Sequence, residues 1–266
     1  MGRKNYFMHR LDHSEDCFKT NLNISIQKTL KMNPELEIRG MTLDRLNLTI
    51  AGQVRSIGIK LSGGSNILSL INQINFRNNE INSNPSSIKY SNNSNEFNIK
   101  LEVNGKQNHE TATFWLLDNF IYSIISSVDI CSLIVGTLFD VPKRELYPDI
   151  VRDYLNNNQN RKISRLFKKH MPPLSNPNHL QMGRIIWNNA KHDGLHEILK
   201  VSHNSPDLET RWDAHIKPVP NSTLSQDERE IGKFCDNLLE ESILFIDSVY
   251  DHLGHRLLRE RLPLQI

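Results

Sequence analysis

Cysteine is scarce. The 266 residues hold three, Cys17, Cys131 and Cys235, an odd number set far apart, which excludes a disulfide framework and reads as reduced thiols of a cytoplasmic protein. An excess of charge of either sign is also lacking. Lysine plus arginine number 32 against 30 for aspartate plus glutamate, a formal charge of +2, so any basic patch that meets a polyanion has to be local. No membrane span is expected, because Asp118 and Asp129 cut the most apolar stretch into uncharged runs far short of the ~20 residues a bilayer requires. The opening MGRKNYFMHR has no apolar signal core, and Tyr6 stands where a myristoylation motif wants Ser or Thr. There is no Walker A run, no dinucleotide-binding glycine pattern and no nucleophile elbow. Gly63-Gly64 lacks the Lys-Ser/Thr that follows in a phosphate loop and reads as a turn. No cofactor is implied. His9/His13, His192/His196 and His252/His255 are paired by spacing, but no third ligand is fixed beside any pair, so no metal site is expected.

What is present is a long apolar segment around which the chain is organised, Thr111 to Phe139. Leu117, Phe120, Ile121, Ile124, Ile125, Val128, Cys131, Val135 and Leu138 recur at three-and-four spacing, which predicts a helix. Small residues between them, including Ser123, Ser126, Ser127, Ser132 and Gly136, allow neighbouring backbones to come close. Three more helical segments are expected after it. The first covers about 145–170 and offers a break at Asn156 to Asn160. The second covers about 179–192 and stops near Asp193-Gly194. The third opens at Ser225, where Ser225 and Glu228 have capping-box spacing. Between the last two lies a polar segment punctuated by Pro206, Pro218 and Pro220.

The first hundred residues read differently. LNISIQ (22–27), ELEIRG (35–40), RLNLTIAG (45–52) and VRSIGIKLSGG (54–64) alternate in the manner of strands, and only 65–76 shows helical spacing. The run 77–95 is rich in asparagine and serine and reads as a linker or exposed loop, followed by one strand in 96–106. The expected architecture is therefore mainly α: a small α+β N-terminal portion over 1–108, linker included, and an antiparallel helical bundle over 109–266.

Chemistry-bearing residues concentrate in GRIIWNNAKHDGLHE, 183–197. Arg184, Asn188 and His192 are spaced by four, each ~40° further round a helix than the last, and so form one stripe. An imidazole that acts as acid or base, an amide that orients a phosphate and a cation that stabilises developing charge suit cleavage of an RNA backbone. The plainer reading is an exposed polar stripe on an amphipathic helix whose other side is Ile185, Ile186 and Trp187. A second concentration is RKISRLFKKH, where Arg161, Arg165, Lys168 and Lys169, with Lys162, form a basic segment able to meet a nucleic-acid backbone; Arg165 and His170 stand ~140° apart on a helix.

The order of long helix, second helix, third helix ending in Asn-x-x-x-His and long final helix resembles the HEPN superfamily over about residues 111–258. That family's signature is Arg, four to six residues of which the first is often Asn, then His. WNNAKH supplies Asn188 and His192, but Trp187 occupies the arginine's place, one turn after Arg184. The resemblance implies a four-helix fold and an RNA-binding protein or metal-independent ribonuclease of a bacterial defence or toxin–antitoxin system, working as a homodimer. Family members that lack the arginine are often non-catalytic. The alternative expectation is a non-enzymatic helical module that dimerises or binds a protein partner, with Trp187 as an anchor.

Overall fold

The computed structural model describes residues 2–73, 88–92, 95–99, 102–103, 106–107, 109–158, 161–173, 175–193, 198–204, 210–216 and 223–264. The protein is mainly helical. Helices α1 (Gly2–Met32) and α2 (Leu43–Gln73) are joined through the short hairpin β1 (Glu37–Ile38) and β2 (Met41–Thr42). Two further hairpins follow, β3 (Ile88–Asn92) with β4 (Asn95–Ile99) and β5 (Glu102–Val103) with β6 (Lys106–Gln107). Then come α3 (His109–Leu138), α4 (Pro148–Asn157), α5 (Arg161–His170) and α6 (His179–Asp193). The hairpin β7 (Ile198–Asn204) with β8 (Thr210–Ile216), a 3-10 turn at Asp227–Arg229 and α7 (Ile231–Arg259) complete the order.

The chain divides into two compact units. One comprises 1–61, 124–173 and 240–266, the other 62–123 and 174–239. In the first, α1 and α7 are stitched together by several kinds of contact. Phe18 and Tyr250 stack with ring centroids 5.1 Å apart, the Asn21 amide donates to the Gly254 carbonyl at 3.1 Å, and Arg10 meets the buried Asp247 carboxylate at 2.7 Å. Phe167 of α5 meets Phe245 of α7 edge to face. In the second unit Leu68, Leu117, Phe120, Leu180, Phe234 and Leu238 are buried.

The strands expected across residues 22–64 are overturned, since α1 and α2 are each 31 residues long. Burial shows why. A strand over 45–52 would put Leu46, Leu48 and Ile50 on one face, yet Leu46 and Ile50 are fully buried while Leu48 is 76% exposed. Along α2 the buried residues include Leu43, Leu46, Ile50, Val54, Ile57, Leu61, Leu68 and Ile71, the stripe of an amphipathic helix. Only in ELEIRG does part of the strand reading survive. There Arg39 and Gly40 both take positive φ, 53° and 69°, as a two-residue hairpin turn requires, and the Arg39 guanidinium donates to the carbonyls of Val141 and Lys143. Part of the expected linker is strand as well, β3 and the start of β4, while 77–87 and 93–94 lie outside the described residues. The proline-punctuated segment after α6 holds the β7–β8 hairpin, with Ile198 opposite Ile216 and Asn204 opposite Thr210.

The later helices match their sequence signals closely. α3 stops in a Schellman motif: the Asp140 N–H donates to Thr137 O at 3.1 Å and the Val141 N–H to Gly136 O at 2.8 Å, with Asp140 at φ 49°. The second segment divides at its asparagines into α4 and α5. The Ser225–Glu228 capping box forms, but on the 3-10 turn; α7 itself starts at Ile231, where the Glu230 carboxylate accepts from the N–H groups of Gly232 and Lys233. Cys131 and Cys235 are buried, whereas Cys17 is exposed rather than a core thiol.

Two glycines lead to opposite expectations. A Cβ on Gly136 would lie 2.8 Å from Leu146 Cδ2, inside the core, whereas one on Gly52 would meet nothing within 4 Å. Gly136→Val should therefore destabilise the protein by about 1–3 kcal/mol through overpacking. Gly52→Ala should stabilise it by about 0.5–1 kcal/mol, because the helix loses only its glycine penalty. Urea unfolding of the two variants checks this; shifts of the same sign would contradict the packing described.

Candidate nucleic-acid interface

α6 begins with Asn178, whose side-chain oxygen accepts the Gln181 N–H at 2.9 Å and caps the helix. Its first turns are buried: His179, Leu180, Gln181, Met182 and Arg184 are each at most 9% exposed. Its later turns emerge, with Trp187 half-buried and Asn188 and Asn189 exposed. The register of the predicted stripe is therefore present on one helix. Its expected exposure is not, because Arg184 is buried while Asn188 reaches solvent. His192 lies in the last turn of α6, and its side chain falls outside the described residues. Trp187, three residues after Arg184, contacts the ring of Tyr122 on α3, centroids 5.2 Å apart and tilted by 50°.

Two buried histidines of the same unit were not singled out from the sequence. His179 lies against Phe234, and the Asn237 amide donates to its Nε2 at 3.1 Å. His215 holds its Nδ1 proton toward the Gln226 carbonyl at 2.8 Å, since a carbonyl can only accept. His215 stands in the β8 alternation of Arg211, Asp213 and His215 against Trp212, Ala214 and Ile216, a strand signal in the sequence that could have found it. Among the described residues no three His, Cys, Asp or Glu side chains gather to hold a metal ion.

In the other unit, α5 is strongly two-sided. Ile163, Ser164 and Phe167 are buried, and Lys162, Arg165, Lys168 and Lys169 are exposed. At ~100° per residue, positions 161, 162, 165, 168 and 169 fall within an arc of about 120°, opposite the buried side. The Arg161 side chain is outside the described residues. Lys168 is steadied by the Asn156 side-chain oxygen at 3.1 Å. Arg165 and His170 point to different sides, as their spacing predicts. His170 packs against Phe245, centroids 5.9 Å apart, and its pKa falls to about 4, first through burial and then through Lys169, with Glu241 opposing. It belongs to the packed side and adds no charge to the basic face near neutrality. His252 of α7 is lowered too, by burial, then by Arg256 and Lys162.

No family model, curated protein or solved structure matches this chain.

The His170 shift has a definite sign. The folded protein keeps the ring neutral down to about pH 4, while the unfolded chain takes up the proton near 6.5. Between those values the unfolded state binds more protons, so the stabilisation is fully in place above pH 6.5 and is lost as pH falls toward 4. The loss should be about 1–2 kcal/mol, allowing for the part of the ring that still meets water, and should shrink in His170→Leu. Urea unfolding at pH 4.5 and pH 7 reads the difference; a nuclear magnetic resonance titration placing His170 near 6.5 would refute the assignment.

Proposed function

We propose that this protein binds RNA, and that the exposed cationic arc of α5 holds the phosphate backbone. The observation that carries the reading is the placement of Lys162, Arg165, Lys168 and Lys169 on one solvent-facing side of a helix. Its other side is anchored by Ile163 and Phe167 in the core. With a net charge of only +2, the chain gathers cations here against an almost neutral whole. Such a local track is what attraction of a polyanion requires. RNA rather than DNA, a bacterial defence or toxin–antitoxin setting and a homodimeric form are what the HEPN resemblance adds.

Cleavage is the narrower form of the same proposal, with His192 as acid or base, Asn188 orienting phosphate and Arg184 as cation. Burial of Arg184 and the aromatic ring at position 187 favour binding over cutting. A second reading, partner binding without RNA, is favoured by one specific feature. Leu48 and Ile59 of α2 are 76% and 62% exposed and stand ~20° apart around the helix and ~16 Å apart along it, two apolar anchor points on one solvent-facing stripe.

Purified protein should bind single-stranded RNA with an affinity that falls steeply with salt. Reversing the four charges (Lys162→Glu, Arg165→Glu, Lys168→Glu, Lys169→Glu) should weaken binding at least tenfold and flatten the log–log salt slope by roughly 2–3. Absent binding would leave the partner-binding reading in its place, and binding indifferent to the four reversals would remove α5 as the backbone track. Incubation of labelled RNA in EDTA separates binding from cutting. Intact RNA is the expected result, and fragments that vanish in His192→Ala would instead establish the cleavage form.

A further inference from the structure

The second unit carries an aromatic surface that neither the basic arc nor the Asn-x-x-x-His stripe accounts for. Trp115 is 57% exposed and Tyr122 is 44% exposed. They are seven residues apart on α3, which places them ~20° apart around the helix and ~10 Å apart along it. Asn119 stands between them on the same stripe, its amide held by the Trp115 carbonyl at 2.7 Å. Trp187 of α6 continues the surface from Tyr122 at 5.2 Å, and the next two residues along α6, Asn188 and Asn189, are exposed.

This composition says what the surface suits. Among the described residues of this unit the only large hydrophobic side chains classed as exposed are the two aromatic ones, Trp115 and Tyr122; the exposed aliphatic residues Ile24, Leu48, Ile59 and Leu258 all belong to the other unit. Protein–protein contacts are also rich in Trp and Tyr, but there the rings sit within a larger desolvated core, and among the described residues of this unit no exposed aliphatic side chain enlarges the patch. Flat rings with the side chain of Asn119 between them are instead the chemistry of unpaired nucleobases, which stack on such rings and meet neighbouring polar groups with their edges. The rings of Trp115 and Tyr122 are too far apart along the helix to hold one base between them, so each would take a base of its own. Asp118, half-buried at the edge of the stripe, disfavours a phosphate in the same place.

We infer that Trp115 and Tyr122, extended by Trp187, form a stacking platform for unpaired bases, and that the RNA bound by this protein is single-stranded at this surface. The inference rests on the RNA-binding reading above and narrows its substrate class. Stacking adds affinity without displacing counterions, so it is separable from the work of α5.

The test compares wild type with the Trp115→Ala/Tyr122→Ala double variant, using a labelled oligouridylate and an RNA duplex of the same length over a salt series. The variant, which loses two stacked bases, should bind oligouridylate more weakly by roughly 30-fold or more with an unchanged salt slope, and should bind the duplex as wild type does. Trp115→Phe/Tyr122→Phe should restore oligouridylate binding to within about threefold, because the rings remain; this also controls for folding. In a chain carrying Trp187→Phe and Trp212→Phe, oligouridylate should quench the emission of Trp115. An alanine variant that binds oligouridylate like wild type overturns the platform while leaving RNA binding intact. So does one whose RNA affinity holds while its sedimentation shifts, because the face would then be a contact between copies. Absence of any RNA binding by wild type overturns the reading beneath it as well.

Discussion

A helix buried over most of its length must find partners for the polar groups it takes inside, and α3 finds several of them on its own backbone. Two of its buried hydroxyls close on its own backbone: Ser127 donates to Ile124 O at 2.7 Å and Ser132 to Val128 O at 3.0 Å. Left unpaired, each would cost about 1–3 kcal/mol. At the C-terminal end the Schellman bonds use the Gly136 and Thr137 carbonyls, and the Leu264 N–H, near the far end of the chain, donates to Leu138 O at 2.8 Å. The missing side chain of Gly136 leaves the space that Leu146 fills. By length and composition the stretch 115–138 could cross a membrane, with mean hydropathy 1.8 in its most apolar window, yet 67% of that window is buried inside the protein. Packing against the protein's own residues, rather than lipid, is what its apolar surface serves here.

The first unit depends on a second constraint, the treatment of a buried charge. Asp247 lies inside α7 at 2% exposure, and the half-exposed Arg10 of α1 meets it. A carboxylate taken out of water is tolerable only with such a partner, so the start of α1 is tied to α7 by electrostatics, and the Phe18–Tyr250 stack two turns on ties it by dispersion. α7 in turn supplies Phe245, against which α5 sets Phe167 and His170. The orientation of the basic arc follows from these contacts, since its cations stand on a helix whose opposite face, Ile163 and Phe167, is buried.

Legibility in the sequence followed the length of the pattern. α3, α6 and α7 carry three-and-four spacing over many turns, and their positions could be read directly. α1 and α2 carry the same spacing, but windows of six residues such as LNISIQ show Leu22, Ile24 and Ile26 as an alternation. Only the exposure of Ile24, 38% against 2% and 1% for its neighbours in that series, reveals that the relevant pair is four apart. Around the candidate site, spacing predicted angle correctly and depth not at all. Arg184 and Asn188 share a stripe, yet α6 rises from the interior as it proceeds, so one is buried and the other is not. The basic face of α5 was legible because five cations in ten residues cannot all be buried. The aromatic surface was not, since Trp115 and Tyr122 lie in the same apolar stretch as residues that are fully enclosed.

The electrostatics of α5 link its packing to its proposed role. Burial is the main reason that His170 and His252 resist protonation, but nearby cations add to it, Lys169 at the first and Arg256 with Lys162 at the second. The positive potential that would draw a phosphate backbone is thus the same potential that opposes a further proton on these rings. A polyanion seated on the arc would offset the part that Lys169 and Lys162 contribute, so both histidines would take up a proton more readily in the complex. By reciprocity, protonating them would strengthen the complex. Because burial dominates at His170 and holds it at about 4, its coupling acts well below neutrality, and the electrostatic part of the proposed binding near pH 7 would rest on the lysines and arginine of the arc.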